Sequence, residues 1–221
     1  MEMYMLSIVK FNAKESMSIL QHNYLLQIMP LSLHLHHDIF VQIQDLEAKA
    51  EYQSNVYMFR SAIVFLQKAL RLAIDNFGSR HPYVGDLYNN LGNAHQSNRE
   101  YEKAIECYEQ ALRVYLHTLG TIHSHIGNTY YNFGNTYFNQ EYYDKAIQYH
   151  GFALKIRKKL LGIVNRDVGD SCWNLGLAFK RKGENQSALT CYEEAWKVYN
   201  VVLGEWNEET LQAKVQVRSL K

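Results

Sequence analysis

The chain repeats itself every 42 residues, and this regularity restricts its fold more than any other feature of the sequence. Written in rows from residue 81, the segments "HPYVGDLYNNLGNAH", "HSHIGNTYYNFGNTY" and "NRDVGDSCWNLGLAF" align, beginning at His81, His123 and Asn165. The second halves align as well: "EYEKAIECYEQALRVYLHTLG", "YYDKAIQYHGFALKIRKKLLG" and "ENQSALTCYEEAWKVYNVVLG". In the same register Ala62, Ala104, Ala146 and Ala188 coincide, as do Ala69, Ala111, Ala153 and Ala195, and Gly78, Gly120, Gly162 and Gly204. A unit this short cannot enclose a core alone, so it must bury its apolar face against its neighbours in the series.

Each row holds two helical periods. Tyr88, Leu91, Gly92 and His95 recur as Tyr130, Phe133, Gly134 and Tyr137, and again as Cys172, Leu175, Gly176 and Phe179. That is the i, i+3, i+4, i+7 stripe of one buried helix face. Ala104, Tyr108 and Ala111 give the second helix the same kind of face. The small side chains at Gly92 and Ala104 predict close helix approach, and Pro82 suits the first turn of a helix. The glycines at 78, 120, 162 and 204 predict a left-handed cap ending each second helix. Only two prolines occur, Pro30 and Pro82, in keeping with long uninterrupted helices. The expected fold class is all-α, built of tandem helical hairpins.

The pattern Tyr88-x2-Leu91-Gly92-x2-His95, followed by Ala104-x3-Tyr108 and Ala111, resembles the tetratricopeptide repeat, whose usual period is about 34. Here the family's closing proline is absent and the second helix is longer by about two turns. The junction at Leu119, Gly120 and His123 resembles the 42-residue repeats of kinesin light chains. The resemblance spans residues 81 to 204. It implies a right-handed solenoid whose first helices line a concave groove for extended or helical peptides. The predicted organisation is an irregular N-terminal segment over 1–38, read as a degenerate helix, then a degenerate repeat over 39–80. Full repeats follow over 81–122, 123–164 and 165–206, with a capping helix of polar outer face over 207–221. In the degenerate repeat Phe59, Ala62, Leu66 and Ala69 keep register, and Leu46 and Ala50 fall in core columns, but Lys49 stands where leucine is expected.

Composition narrows the function. Twenty-three Lys and Arg against 22 Asp and Glu leave a net charge of +1, so no overall field recruits nucleic acid or an anionic membrane. Three cysteines without a CxxC pair predict a reduced protein without a disulfide framework. The apolar patch "MYMLSIV" lacks a basic leader, and no run reaches the roughly 18 apolar residues of a membrane span, so a cytoplasmic location without membrane insertion is expected. No nucleotide-binding, metalloprotease or nucleophile-elbow motif occurs, which predicts a non-enzyme without cofactor or metal. The one cluster with metal-ligand chemistry is "HLHHD", His34 to Asp38, which could hold zinc but reads better as an exposed polar linker. The basic run Lys155, Arg157, Lys158 and Lys159 reads as a solvated helix face.

The stretch "GNTYYNFGNTYF", residues 127 to 138, sets Asn128, Asn132 and Asn135 inside a helix that asparagine disfavours. Asn128, Tyr131, Asn135 and Phe138 lie about 100–160° around the helix from the buried stripe and form a second stripe. Its counterparts are Asp86, Asn89, Asn93 and Gln96 in the preceding row, and Asp170, Trp173, Leu177 and Lys180 in the following one. The family resemblance places this stripe on the groove, where amides can pair with a peptide backbone and Tyr131, Phe138 and Trp173 can anchor apolar groups. Asn90, Asn132 and Asn174 form a separate column open to two readings, a hydrogen bond to the neighbouring repeat or contact with a bound peptide; Asn132 and Asn174 are counted with the groove. Tetratricopeptide domains that clamp a chaperone's C-terminal carboxylate need cations among these columns, and here only Lys180 and Arg181 stand near, opposite Glu47 and Glu51 at the other end. The expected function is a protein-interaction scaffold for a peptide segment of a partner. The alternatives are a module of a larger signalling or enzyme assembly, and a metal-dependent protein using His34 to Asp38.

Overall fold

The computed structural model describes residues 31–221, with side chains from Asp38 onward. Among these residues there are nine helices and no strand: α1 (Leu31–Asn55), α2 (Phe59–Phe77), α3 (Pro82–Ser97), α4 (Tyr101–Thr118), α5 (Ser124–Asn139), α6 (Tyr143–Leu161), α7 (Arg166–Lys182), α8 (Asn185–Val202) and α9 (Glu208–Ser219). They stack as hairpins α1/α2, α3/α4, α5/α6 and α7/α8, with α9 lying on α8. Each second helix packs between its own first helix and the next one. The readings of residues 1–30, and of the side chains of His34 to His37, lie outside the described residues; Asp38 is exposed.

The helix starts obey the period. His81, His123, Asn165 and Asn207 are the N-caps of α3, α5, α7 and α9, and each side chain accepts the backbone N–H two residues on. Pro82 occupies the first turn of α3. All four repeated glycines have the positive φ expected, but two of the helix ends correct the sequence reading. Gly78 and Gly162 do have positive φ, 84° and 79°, but their ψ of 154° and 178° is extended rather than left-handed helical. That region is essentially reserved for glycine. The left-handed cap closes the first helices instead, at Tyr57, Arg99, Glu141 and Gly183, all with positive φ. There the next residue's N–H bonds back five positions, as Glu100 to His95 and Tyr142 to Tyr137, both at 2.9 Å. This is the Schellman arrangement.

The core follows the small-residue columns. Ala62, Ala104, Ala146 and Ala188 are fully buried, as are Ala69, Ala111, Ala153 and Ala195. Gly92 lets Tyr108 lie against its backbone, since a Cβ there would come within 2.4 Å of the tyrosine ring. The same geometry recurs at Gly134 with His150 and at Gly176 with Tyr192. A second series pairs Gly85 with Tyr115 and Gly169 with Tyr199. In α9 the corresponding positions hold Leu211 and Arg218, both exposed. The exposed residues of α9 are Leu211 and Val215 beside Glu208, Gln212 and Arg218, among others. In α1, Lys49 is exposed and paired with Asp45, and the core is supplied by Ile39, Ile43 and Ala50.

Candidate functional site

The first helices touch one another along the stack, α3 with α5 and α5 with α7, and so form a continuous wall. All predicted site residues lie on it: Asp86, Asn89, Asn93 and Gln96 on α3, Asn128, Tyr131, Asn132, Asn135 and Phe138 on α5, and Asp170, Trp173, Asn174, Leu177, Lys180 and Arg181 on α7. Most of these residues already have a hydrogen-bond partner within the fold.

Two repeating sets of bonds and one local set account for this. Asp86, Asn128 and Asp170 close their own hairpins, accepting from Tyr115 (2.7 Å), Arg157 (2.9 Å) and Tyr199 (2.8 Å). Asn90, Asn132 and Asn174 reach back to the preceding first helix, donating to Glu47 (3.2 Å), Asn89 (3.3 Å), and Tyr131 (2.7 Å) with Asn135 (3.3 Å). Asn93 and Gln96 each lie 2.9 Å from the Tyr108 hydroxyl. The helix interior tolerates so many asparagines because each amide exchanges a competing local bond for a fixed partner on another helix.

The central repeat departs from its neighbours. Where they carry Tyr115 and Tyr199, it has Arg157, and where they carry Tyr108 and Tyr192, it has His150. Arg157 is only 8% exposed, so the solvated face expected for the basic run does not include it. Its guanidinium donates to the Asp167 carbonyl (3.0 Å), Ser171 Oγ (2.9 Å) and Asn128, and stacks over the Tyr131 ring at 4.4 Å. The planar fork thus spans α5, α6 and α7, which a lysine could not do. Burial and the facing carboxylates raise the Tyr115 and Tyr199 hydroxyls above their usual range, and burial also raises Asp170.

Tyr131, Asn135, Phe138, Trp173 and Leu177 are partly exposed on the wall, while Asn93, Asn128, Lys180 and Arg181 are exposed. Trp173 lies 5.1 Å from the Tyr192 ring, Arg181 stands over Phe138 at 5.9 Å, and Lys180 donates to Gln216 (2.7 Å). A cavity of about 280 Å³ opens between α5, α7 and α9, lined by Tyr131, Asp170, Trp173, Asn174, Tyr199 and Glu209 among others. A larger one, about 530 Å³, lies between α1 and α3. Its lining includes Glu51, Ser54 and Leu66, which the sequence reading left outside the site. The available signal was Leu66, the one aliphatic residue in a column otherwise holding Tyr108, His150 and Tyr192. Among the described residues no group of His, Cys, Asp and Glu is arranged to hold a metal, and no helix is long and apolar enough to cross a membrane.

Residues 58–117 and 125–200 match the family profile of the tetratricopeptide repeat. The chain belongs to the tetratricopeptide repeat family. Kinesin-light-chain-like repeat proteins are among the solved structures similar to it in fold. BtubC (BKLC) from P. vanneervenii is 25% identical with a TM-score of 0.68, over 73% of this chain and 65% of that one; the chain thus spans less than two thirds of that relative. A kinesin-light-chain-like protein of Podosopora anserina with nearly identical TPR-like repeats is 17% identical with a TM-score of 0.71, over 80% and 84% of the two chains. The N-terminal domain of stress-induced protein-1 (STI-1) from C. elegans, 16% identical with a TM-score of 0.50 over 63% and 95%, shares the fold. No protein of curated function matches the chain. The tetratricopeptide repeat fold is consistent with an interaction scaffold, since stacked repeats present extended binding surfaces.

Proposed function

We propose that the chain is a non-catalytic interaction module that holds a peptide segment of a partner protein along the wall of first helices. The reading rests on the partly exposed row Tyr131, Asn135, Phe138, Trp173 and Leu177, which runs across α5 and α7. Aromatic side chains with a polar rim are the surfaces that dominate interface energetics. The amides that tie the helices together keep spare capacity: the side-chain oxygens of Asn132 and Asn174 accept no hydrogen bond from the described residues. The wall is rigid through these ties, so a bound strand or helix meets a preorganised surface.

Immobilised protein selecting from a displayed library of random twelve-residue peptides provides the test. Asn135→Ala combined with Trp173→Phe keeps an aromatic ring against Tyr192 and should weaken the selected peptides by about tenfold or more. Peptides that bind the double variant as they bind the parent would remove the wall of first helices from the proposal.

A further inference from the structure

The first hairpin breaks the aromatic column of the second helices. Position 66 aligns with Tyr108, His150 and Tyr192, and each of those rings lies against a glycine of its own first helix. Leu66 is too short to follow them, and it faces Ala50 rather than a glycine. In the next repeat the Tyr108 hydroxyl reaches Asn93 Oδ1 and Gln96 Oε1. One repeat earlier, the positions of Asn93 and Gln96 are Glu51 and Ser54, and there is no tyrosine to serve them. Beside Leu66 a cavity of about 530 Å³ opens between α1 and α3.

The chemistry of its lining is one-sided. Glu47 and Glu51 are both on it, and no lysine, arginine or histidine is. Glu47 is fixed in place by the Tyr83 hydroxyl on one oxygen and by Asn90 Nδ2 at 3.2 Å on the other. Glu51 makes no hydrogen bond or ion pair with the described residues, and its nearest counterpart in the stack, Asn93, already accepts from Tyr108. Ala50, Leu66 and Ala94 form an apolar floor beneath the carboxylates. A site that has lost a donor, gained a carboxylate and kept an apolar floor suits a long aliphatic stem ending in a charged donor.

We infer that the cavity between α1 and α3 receives a lysine or arginine side chain of the partner segment, with its stem on Ala50, Leu66 and Ala94 and its cation against Glu51 and Glu47. This rests on the wall of first helices being the binding surface, and it adds a charge preference: the segment is basic where it crosses the first hairpin. The middle of the wall makes no such demand, because Asp86 and Asp170 already accept from the Tyr115 and Tyr199 hydroxyls, at 2.7 and 2.8 Å.

The test uses the full chain and fluorescein-labelled nona-lysine, nona-glutamine and nona-glutamate peptides, read by fluorescence anisotropy. Nona-lysine should bind best. Glu51→Gln, an exposed change that leaves the fold intact, should weaken it by about tenfold, the scale of one lost charge-assisted contact. Leu66→Tyr, made together with Ala50→Gly to supply the notch that the other rings occupy, should do the same with every charge retained, because the ring then refills the cavity; its melting temperature reports whether it folds. Asp75→Asn with Glu106→Gln, exposed acids on α2 and α4, should change nothing. Equal binding of nona-lysine by the parent, Glu51→Gln and the Ala50→Gly, Leu66→Tyr variant would overturn the inference, as would preference for nona-glutamate. Binding that appears only after Lys10 and Lys14 are changed to glutamine would assign the cavity to the chain itself and overturn the partner. Library peptides that lack lysine and arginine, yet are lost with Asn135→Ala and Trp173→Phe, would sink the charge preference while leaving the binding wall standing.

Discussion

At the scale of single residues, the central repeat shows how a buried polar position can be refilled without disturbing the helices. Tyr115 with Asp86 and Tyr199 with Asp170 are neutral-to-anionic pairs, whereas Arg157 with Asn128 is cationic-to-neutral, so one hydrogen bond is kept and the charge is reversed. His150, 1% exposed, is the companion change. Burial first, and the Arg157 guanidinium second, push its pKa down from the ordinary 6.5 to about 4. The unfolded chain therefore takes up this proton near pH 6.5, whereas the folded chain refuses it until about pH 4. Stability from this group is level above the upper value, falls as pH drops between the two, and levels again below the lower, with a total loss of about 3 kcal/mol or less. His150→Tyr restores the residue found in the flanking repeats and should remove that part of the acid sensitivity. Urea midpoints measured from pH 7 to pH 4.5 check it, and an equally steep decline in the variant would show that other groups cause it.

At the scale of elements, the hairpin turns carry strain that the period conceals. Tyr57, Arg99 and Glu141 have φ of 61°, 61° and 64°, and only Gly183 in that column is suited to it. Glu141→Gly should stabilise the chain by up to about 1 kcal/mol, because the left-handed conformation then costs little; a lower melting temperature would count against it. The two kinds of helical glycine should respond oppositely to alanine. Gly151 has open space around a built Cβ, so Gly151→Ala should raise stability by about 0.5–1 kcal/mol. Gly92→Ala drives a methyl into the Tyr108 ring and should cost about 1–3 kcal/mol. Equal midpoints for the two would mean that the close packing of α3 on α4 is wrong. The helices and their pairing were legible in the sequence because both depend on the spacing of small and apolar residues, which a 42-residue comparison exposes. The turns were not, because three of four left-handed positions hold residues that do not favour that conformation. The site was legible only as a face. Spacing located Asn89, Asn132 and Asn174 on one wall, but whether an amide bonds to the next helix or to solvent depends on distances between repeats. Arg157 misled for a related reason: it sits among three lysines, and only the packing of α6 against α7 reveals that it points inward.

At the scale of the whole molecule, cohesion is local and serial. Val84, Leu87, Leu91 and Ala94 of α3 share one core with α1 and α2, while α7, α8 and α9 build another around Val168, Tyr199 and Ala213. Residues 81–221 alone should therefore stay helical but melt at a lower temperature than the full chain, with α3 exchanging its amide protons fastest. A disordered circular dichroism spectrum would contradict serial stability. The far end has a different consequence. A stack of hairpins is a one-dimensional crystal, and its terminal helix is a growth face, just as an unpaired strand is the growth face of a sheet. On α3, α5 and α7 that face is notched, because glycine admits the ring of the next helix. On α9 both notches are filled, by Leu211 and Arg218, so a helix that carries rings at the repeat's spacing would find no seat in register against it.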